Sequence, residues 1–325
     1  MTVIDTQTHW FSPTLLDAYS EAEEYPRCRR DGDRYMYELA PERWFPLTKV
    51  FTDVDHQMET LAAAGIDAIV SSSASFGDVN GLEAGRAKEV AHILNEERAE
   101  LQRTHEGRFY GLATVPWQDG EAALEVIDRA AELGLPGVLM HSNIDGRPVD
   151  ADYLRPVYAR LAEHGLVVSL HPARTIMENA LRDYGMEYLV GYLFDTSVAA
   201  LRLVLSGIFE DQPGLKVVHP HCGATLPYLA GRLDNSHSKP YSLGHELPVL
   251  PSEQLSRFWT DTVAQSPDTL AFADNFYEDG HVVFGSDYPF MEPERELRFA
   301  RDNADGAVLA ANPAALFGLD RSDEA

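Results

Sequence analysis

Short, apolar, β-branched runs alternate with amphipathic helical stretches along the whole chain, and this alternation constrains the fold more than any other feature. The runs begin near residues 3, 66, 109, 137, 166, 215, 258 and 281. Helical patterns separate them over Val54–Ala64, Leu82–His105, Glu121–Leu133, Tyr153–His164, Thr196–Phe209, Ala224–Asp234 and Thr269–Phe276. Gly65 and Gly165 stand where the first and fourth of these helices stop, as left-handed C-terminal caps require. Strands that read as continuous hydrophobic runs are buried on both faces, and strands joined by helices run parallel. Eight such units fit a closed ring better than an open sheet. No GxGxxG or GxxxxGK[ST] follows the first strand, which takes support from a nucleotide-binding reading. The 325 residues suit one α/β domain, a (β/α)₈ TIM barrel of roughly 250 residues with insertions. The largest insertion follows the first strand, over residues 11–52. Within it Arg27–Arg30 and Arg34–Leu39 flank Asp31-Gly32-Asp33, a hairpin expected to cap the barrel mouth. Pro293–Leu319 is expected to be helical and to close the fold.

Charge narrows the partners. The net charge is -26, from 52 acidic against 26 basic residues, and only Lys49, Lys88, Lys216 and Lys239 are lysines. Such a surface repels nucleic acid and anionic membranes, which attract Lys and Arg. No apolar run is expected to approach the roughly 20 residues of a bilayer span. Met1 leads straight into Val3-Ile4 without a basic segment or cleavage site, so a cytoplasmic location is expected. Cys28 and Cys222 are expected to be two free thiols.

In a barrel of this kind reactive groups gather where the strands end. Gln7 and His9 lie two apart at the end of the first strand, which points both side chains to one face. His171 ends the fifth strand, His219 and His221 end the sixth, and Asp287 follows the eighth. Each alone has a structural reading: a hydrogen-bonded core histidine for His219, an Asx turn for Asp287. Together, two imidazoles and a carboxylate at one mouth suit Zn²⁺ or a similar divalent ion. Such an ion activates water or polarises a substrate oxygen.

These positions lie in longer motifs. They are Asp5-Thr-Gln-Thr-His9, Leu170-His-Pro172, His221-Cys-Gly-Ala-Thr-Leu-Pro-Tyr-Leu-Ala-Gly-Arg-Leu-Asp234, Gly285-Ser-Asp-Tyr-Pro-Phe290 and Asn312-Pro-Ala-Ala-Leu-Phe-Gly-Leu319. With them the chain resembles the amidohydrolase superfamily over nearly its whole length, in the branch of aminocarboxymuconate semialdehyde decarboxylase and the aromatic-acid decarboxylases. The resemblance implies His9, His171 and Asp287 as metal ligands and His221 as the catalytic histidine, which assists water activation or proton transfer. It also implies that Arg232 reaches into a neighbouring subunit's site to hold a substrate carboxylate, and hence a homodimer. Two departures stand out. The family has His-x-His or Glu-x-His on the first strand, whereas this chain has Gln7, a neutral ligand that weakens metal binding or favours a harder ion. Zn²⁺ is the first expectation and Mn²⁺ the alternative. Where the family's aminocarboxymuconate enzyme carries a substrate-binding arginine, this chain has His56-Gln57.

Trp10, Phe11, Trp44, Arg174 and Phe290 are candidates for shaping an aromatic-tolerant pocket, with Arg174 as a replacement carboxylate clamp. The resulting expectation is a metal-dependent lyase that decarboxylates a small aromatic or unsaturated carboxylic acid without oxidation, His221 or Asp287 supplying the proton. The same parts would serve a hydrolase or hydratase acting on a lactone, cyclic amide, ester or conjugated acid. A third possibility is a binding protein that has lost its metal through Gln7.

Overall fold

A computed structural model describes residues 2–319 apart from 24–25, 41, 75–77, 178–179, 238 and 240–246. Its first strand, β1 (Ile4–His9), is followed by the insertion, which holds β2 (Cys28–Asp31), β3 (Arg34–Ala40) and β4 (Arg43–Leu47). Seven further strands complete the alternation: β5 (Ala68–Ser72), β6 (Phe109–Gly111), β7 (Gly137–His141), β8 (Val167–His171), β9 (Val217–His219), β10 (Trp259–Asp261) and β11 (Val282–Val283). All eight predicted strands are present.

Two parallel sheets, β1-β5-β6 and β11-β10-β9-β8-β7, make the ring. Single parallel bridges join them on both sides, Ala113 to Val138 and Thr8 to Tyr288. At the second seam Thr6 N donates to Phe284 O (2.8 Å), Asp287 N to Gln7 O (2.9 Å) and His9 N to Tyr288 O (2.8 Å). The first strand is thereby paired with the last segment.

Alternate strand residues face the barrel interior. Ile4, Val70, Val167, Val218 and Val283 from five strands, with Leu112 just after β6, pack in one cluster with Leu316 and Phe317. Those two belong to the last helix, α13 (Ala311–Phe317), which plugs the barrel floor. Lys216 Nζ donates to Leu316 O (2.9 Å) at that helix's C-terminus, where a cation also meets the negative end of the helix dipole. The opposite strand faces pack with the helical layer: Ile69, Val168, Val217 and Phe284 lie in the larger cluster.

The helices begin and end where the chemistry of their termini dictates. Asp53 caps α3 (Val54–Ala63) by accepting from His56 N. Asp119 does the same for α5 (Gly120–Glu132), whose buried stripe is Ala122, Ala123, Val126, Ile127 and Ala130. Gly65 (φ 89°) and Gly165 (φ 68°) take the left-handed conformation expected of them.

Four readings need correction. The insertion is a three-stranded antiparallel sheet rather than a hairpin alone. Its third strand, β4, contains Pro46, which a strand tolerates at a sheet edge, and β4 is the edge. A helix, α1 (Pro13–Ser20), also precedes the sheet. The helix expected over Thr196–Phe209 is two, α7 (Tyr192–Leu205) and α8 (Ile208–Asp211), broken at Gly207 (φ 81°). The tail breaks likewise into α12 (Pro293–Asn303), a 3-10 turn (Gly306–Leu309) capped by Asp305, and α13. Finally, Glu187–Leu205 is a 19-residue stretch of mean hydropathy 1.4, long and apolar enough to cross a membrane on length and composition, and 44% of it is buried. Its buried face carries Asp195, Thr196 and Ser197, with Asp195 accepting from Thr175 Oγ1 at 3.0 Å. It is thus a barrel helix with an apolar outer side.

The floor plug yields a stability prediction. Leu316 has no exposed surface, so Leu316→Ala is expected to cost about 2–5 kcal/mol. Urea denaturation of the two proteins measures this.

Candidate metal centre and the adjoining cleft

Ile4 points to the barrel floor, so simple alternation would also send Thr6 and Thr8 inward. A register shift in the pairing of β1 with β5 between Asp5 and Thr8 changes which residues face the mouth. Thr6 and Thr8 instead turn their hydroxyls onto Phe284 O and Val70 O. Gln7 and His9 take the inner face, the re-aiming that such bulges accomplish beside active sites. Gln57, buried on α3, donates to His9 O at 2.9 Å and fixes the strand's end.

His9, His171 and Asp287 converge, with one ligand atom of each within 4.8 Å of the others, and all three are buried. His9 Nε2 lies 3.0 Å from Asp287 Oδ1, and the His9 and His171 rings meet edge to face at 4.7 Å. His171 Nδ1–H donates to Pro172 O at 3.0 Å, which leaves Nε2 with its lone pair, the arrangement typical of metal-ligating histidines. Burial, and then the imidazoles of His9, His141 and His221, hold His171 well below the usual histidine pKa, so it is neutral. Two imidazoles and one carboxylate with the correct tautomer fit a divalent ion. Phe290 forms an apolar wall, 5.7 Å from the His9 ring and 5.5 Å from Phe51.

His221 reaches the mouth through an unusual turn. His221, Cys222, Gly223 and Ala224 have φ of 58°, 54°, 70° and 49°, a conformation costing roughly 1–2 kcal/mol per non-glycine residue. Asp261 offsets the cost. Its buried carboxylate accepts from His221 N (3.0 Å), Cys222 N (3.2 Å) and Val263 N (3.0 Å). Burial raises the Asp261 pKa even so, against the stabilising effect of His221 and those N–H groups. The Gln7 amide nitrogen lies 3.5 Å from His221 Nε2, so Gln7 stands between the triad and His221. His219 lies fully buried on the helical side of β9, its Nδ1 3.4 Å from Tyr277 OH. Burial and then His221 push its pKa down to about 3.

The remaining candidates divide. Arg174 lines a cleft between the insertion and the barrel, with Tyr37, Arg43, Asp78, His141 and Asn143. Trp10 is a core residue whose indole N–H donates to Thr52 O at 3.1 Å. Phe11 is buried in the core, and Trp44 lies under Arg29 on the insertion sheet. Arg232 is exposed on α9 (Leu226–His237). Cys28 and Cys222 are buried and unbridged.

Two site groups escaped the sequence reading. Asp261 ends β10, and His141 ends β7 with its ring 6.3 Å from that of His171 and an Asp78 partner. The signal that found His9 and His171, an ionisable residue closing a strand, was present in both.

The chain is similar to known proteins over nearly its whole length. The profile described as "Amidohydrolase" matches residues 4–319. A 2-amino-3-carboxymuconate-6-semialdehyde decarboxylase of Dictyostelium discoideum is 30% identical over 243 residues, 72% of this chain and 68% of that one. A 6-methylsalicylic acid decarboxylase of Penicillium expansum is 28% identical over 310 residues, 92% and 88% of the two chains. Among solved structures, the 5-carboxyvanillate decarboxylase of Sphingomonas paucimobilis superposes with a TM-score of 0.87 at 25% identity, covering 98% of this chain and 100% of that one.

His219 provides a pH test. Below its ordinary value of 6.5 the unfolded chain takes up a proton there, while the folded chain refuses it down to about 3. Its contribution to stability is therefore lost as pH falls through that window. His219→Gln is expected to flatten the fall by about 1.4 kcal/mol per pH unit between pH 6 and 4, measured as the difference in denaturant-derived stability between the two proteins.

Proposed function

The chain belongs to the amidohydrolase family, and we propose that it is a metal-dependent lyase that removes CO₂ from a small aromatic carboxylic acid without oxidation. The observation that carries this reading is the buried His9–His171–Asp287 triad, with His171 already in the ligating tautomer. The decarboxylases among its relatives support the reaction type.

One divalent ion, Zn²⁺ or Mn²⁺, would be held by His9, His171 and Asp287, with the Gln7 amide beside it; bound, it supplies Lewis-acid polarisation of the substrate's carboxylate and a neighbouring oxygen. The protein groups do the rest. Phe290 and Phe51 give the ring an apolar surface and thin the water around the triad. The turn fixed by Asp261 holds His221 in place before substrate arrives, so no reorganisation is needed at reaction. A proton from His221 or Asp287 adds to the ring carbon that carries the carboxylate. The C–C bond then breaks, its electron pair returns to the ring, and CO₂ leaves. Gln7, 3.5 Å from His221 Nε2, orients the imidazole for this transfer.

The protein is further proposed to work as a homodimer. Arg232 and Tyr228 are exposed on α9, and Tyr184, Tyr188, Leu189, Phe194 and Val198 form an apolar surface on the neighbouring segment. Such a surface suits a second copy of the chain, whose Arg232 would hold substrate in this subunit's site.

Purified protein loaded with Mn²⁺ or Zn²⁺ is expected to release one CO₂ per product from at least one member of a panel of hydroxybenzoates and muconate-like acids. In D₂O one deuterium enters at the vacated carbon. No CO₂ from any member sinks the reading, and solvent ¹⁸O in a product that keeps its carboxylate indicates hydrolysis or hydration instead. His221→Asn should lower kcat by about 10²–10⁴ while metal content stays at that of the unaltered protein. Mixing inactive Arg232→Ala chains with inactive Asp287→Asn chains should restore about a quarter of full activity if each site borrows its arginine across a twofold axis. No recovery after confirmed subunit exchange refutes the shared site.

A further inference from the structure

Asp78 and His141 form a second cluster of ionisable groups that the reaction above does not use. They stand in the wall of the cleft between the insertion and the barrel. Asp78 is fixed from several directions. Its carbonyl accepts from Tyr19 OH at 2.9 Å and its Oδ1 from Asn80 N at 3.0 Å. Its Oδ2 takes the Asn80 amide and His141 Nδ1. His141 is locked in turn, with Nε2 3.1 Å from Ala74 O and its ring against His171. The triad itself does not line the cleft, but His141 does, and its ring lies 6.3 Å from that of His171. The cleft thus begins one imidazole away from the triad.

Asp78 keeps 20% of its side-chain surface open. An ionised carboxylate offers about four acceptor directions, and the contacts above occupy three, one on Oδ1 and two on Oδ2. The unfilled direction belongs to Oδ1. Burial opposes the charge, yet His141 and Asn80 outweigh it and keep the Asp78 carboxyl below its ordinary pKa.

Resting on the aromatic-acid reading above, we propose that Asp78 is a specificity-determining residue. Its open acceptor position takes a hydrogen bond from a hydroxyl or amino substituent on the part of the ring remote from the carboxylate at the triad. A methyl group at that position would cover the open acceptor direction of a charged group without filling it, the kind of loss that lets polar sites reject analogues lacking a donor. A second carboxylate there would meet the like charge of Asp78. Of the other charges on the cleft, Glu187 is paired with Arg43 at 2.5 Å, and Arg174 also lines it. The selected substituent is therefore a neutral or cationic donor.

The test uses calorimetric binding to the full-length, Mn²⁺-loaded protein. The probes are 2-hydroxybenzoate and its derivatives carrying either hydroxyl or methyl at C4 or at C5. The hydroxyl member of at least one pair is expected to bind about tenfold more tightly than its methyl counterpart. Asp78→Asn should narrow that preference to about threefold or less, with 2-hydroxybenzoate itself bound as before. The comparison within the unaltered protein is informative even if the variant does not fold. Equal binding of hydroxyl and methyl members at both positions overturns the assignment alone, as does a full preference retained in Asp78→Asn. Failure of every probe to bind, 2-hydroxybenzoate included, overturns the aromatic-acid reading and this assignment with it.

Discussion

The hydrogen bonds between the first strand and the segment after the last are the constraint on which the site depends. His9 and Asp287 are 278 positions apart in sequence, and nothing local holds either near the other. Three backbone bonds at this seam, Thr6 to Phe284, Asp287 to Gln7 and His9 to Tyr288, turn an open sheet into a ring and make two ligands neighbours. Closure and metal binding are therefore linked: whatever stabilises the seam preorganises the triad, and an ion bridging His9 and Asp287 would stabilise the seam.

Around this seam the protein spends buried polarity where it shapes backbone rather than where it reacts. Asp5 illustrates this. Burial raises its carboxyl to about 7, while Oδ1 accepts from Gln7 N and Ser286 N, tying both sides of the seam together. Asp261 plays the equivalent part at the His221 turn. Neither carboxylate belongs to the triad, and each supports the backbone from which a site residue projects. Mutating either is a change to geometry first and to charge second.

The fold was legible because its signal is repeated: each buried strand and each capped helix independently reports the same alternation. The triad was legible because its members close strands. What sequence did not disclose depends on relations between distant segments. The shift in β1 that turns Gln7 and His9 inward exists only in its pairing with β5, and alternation counted from Ile4 would have given the wrong face. Asp261 acts on a turn 40 residues away. Asp78 lies in a loop without periodicity, and its importance comes from Tyr19, Asn80 and His141 meeting it in space. Pro46 hid β4 because a proline's acceptability in a strand depends on which strand is the edge.

The closing seam also has a consequence in time. A ribosome adding about 5–20 residues per second needs on the order of tens of seconds to pass from His9 to Asp287, and α13, which plugs the floor, comes later still. Through that interval β1 can pair with β5 along one edge, but its other edge waits for the segment after the last strand. The cluster of His9, His171 and Asp287 is therefore complete only once the ring has closed.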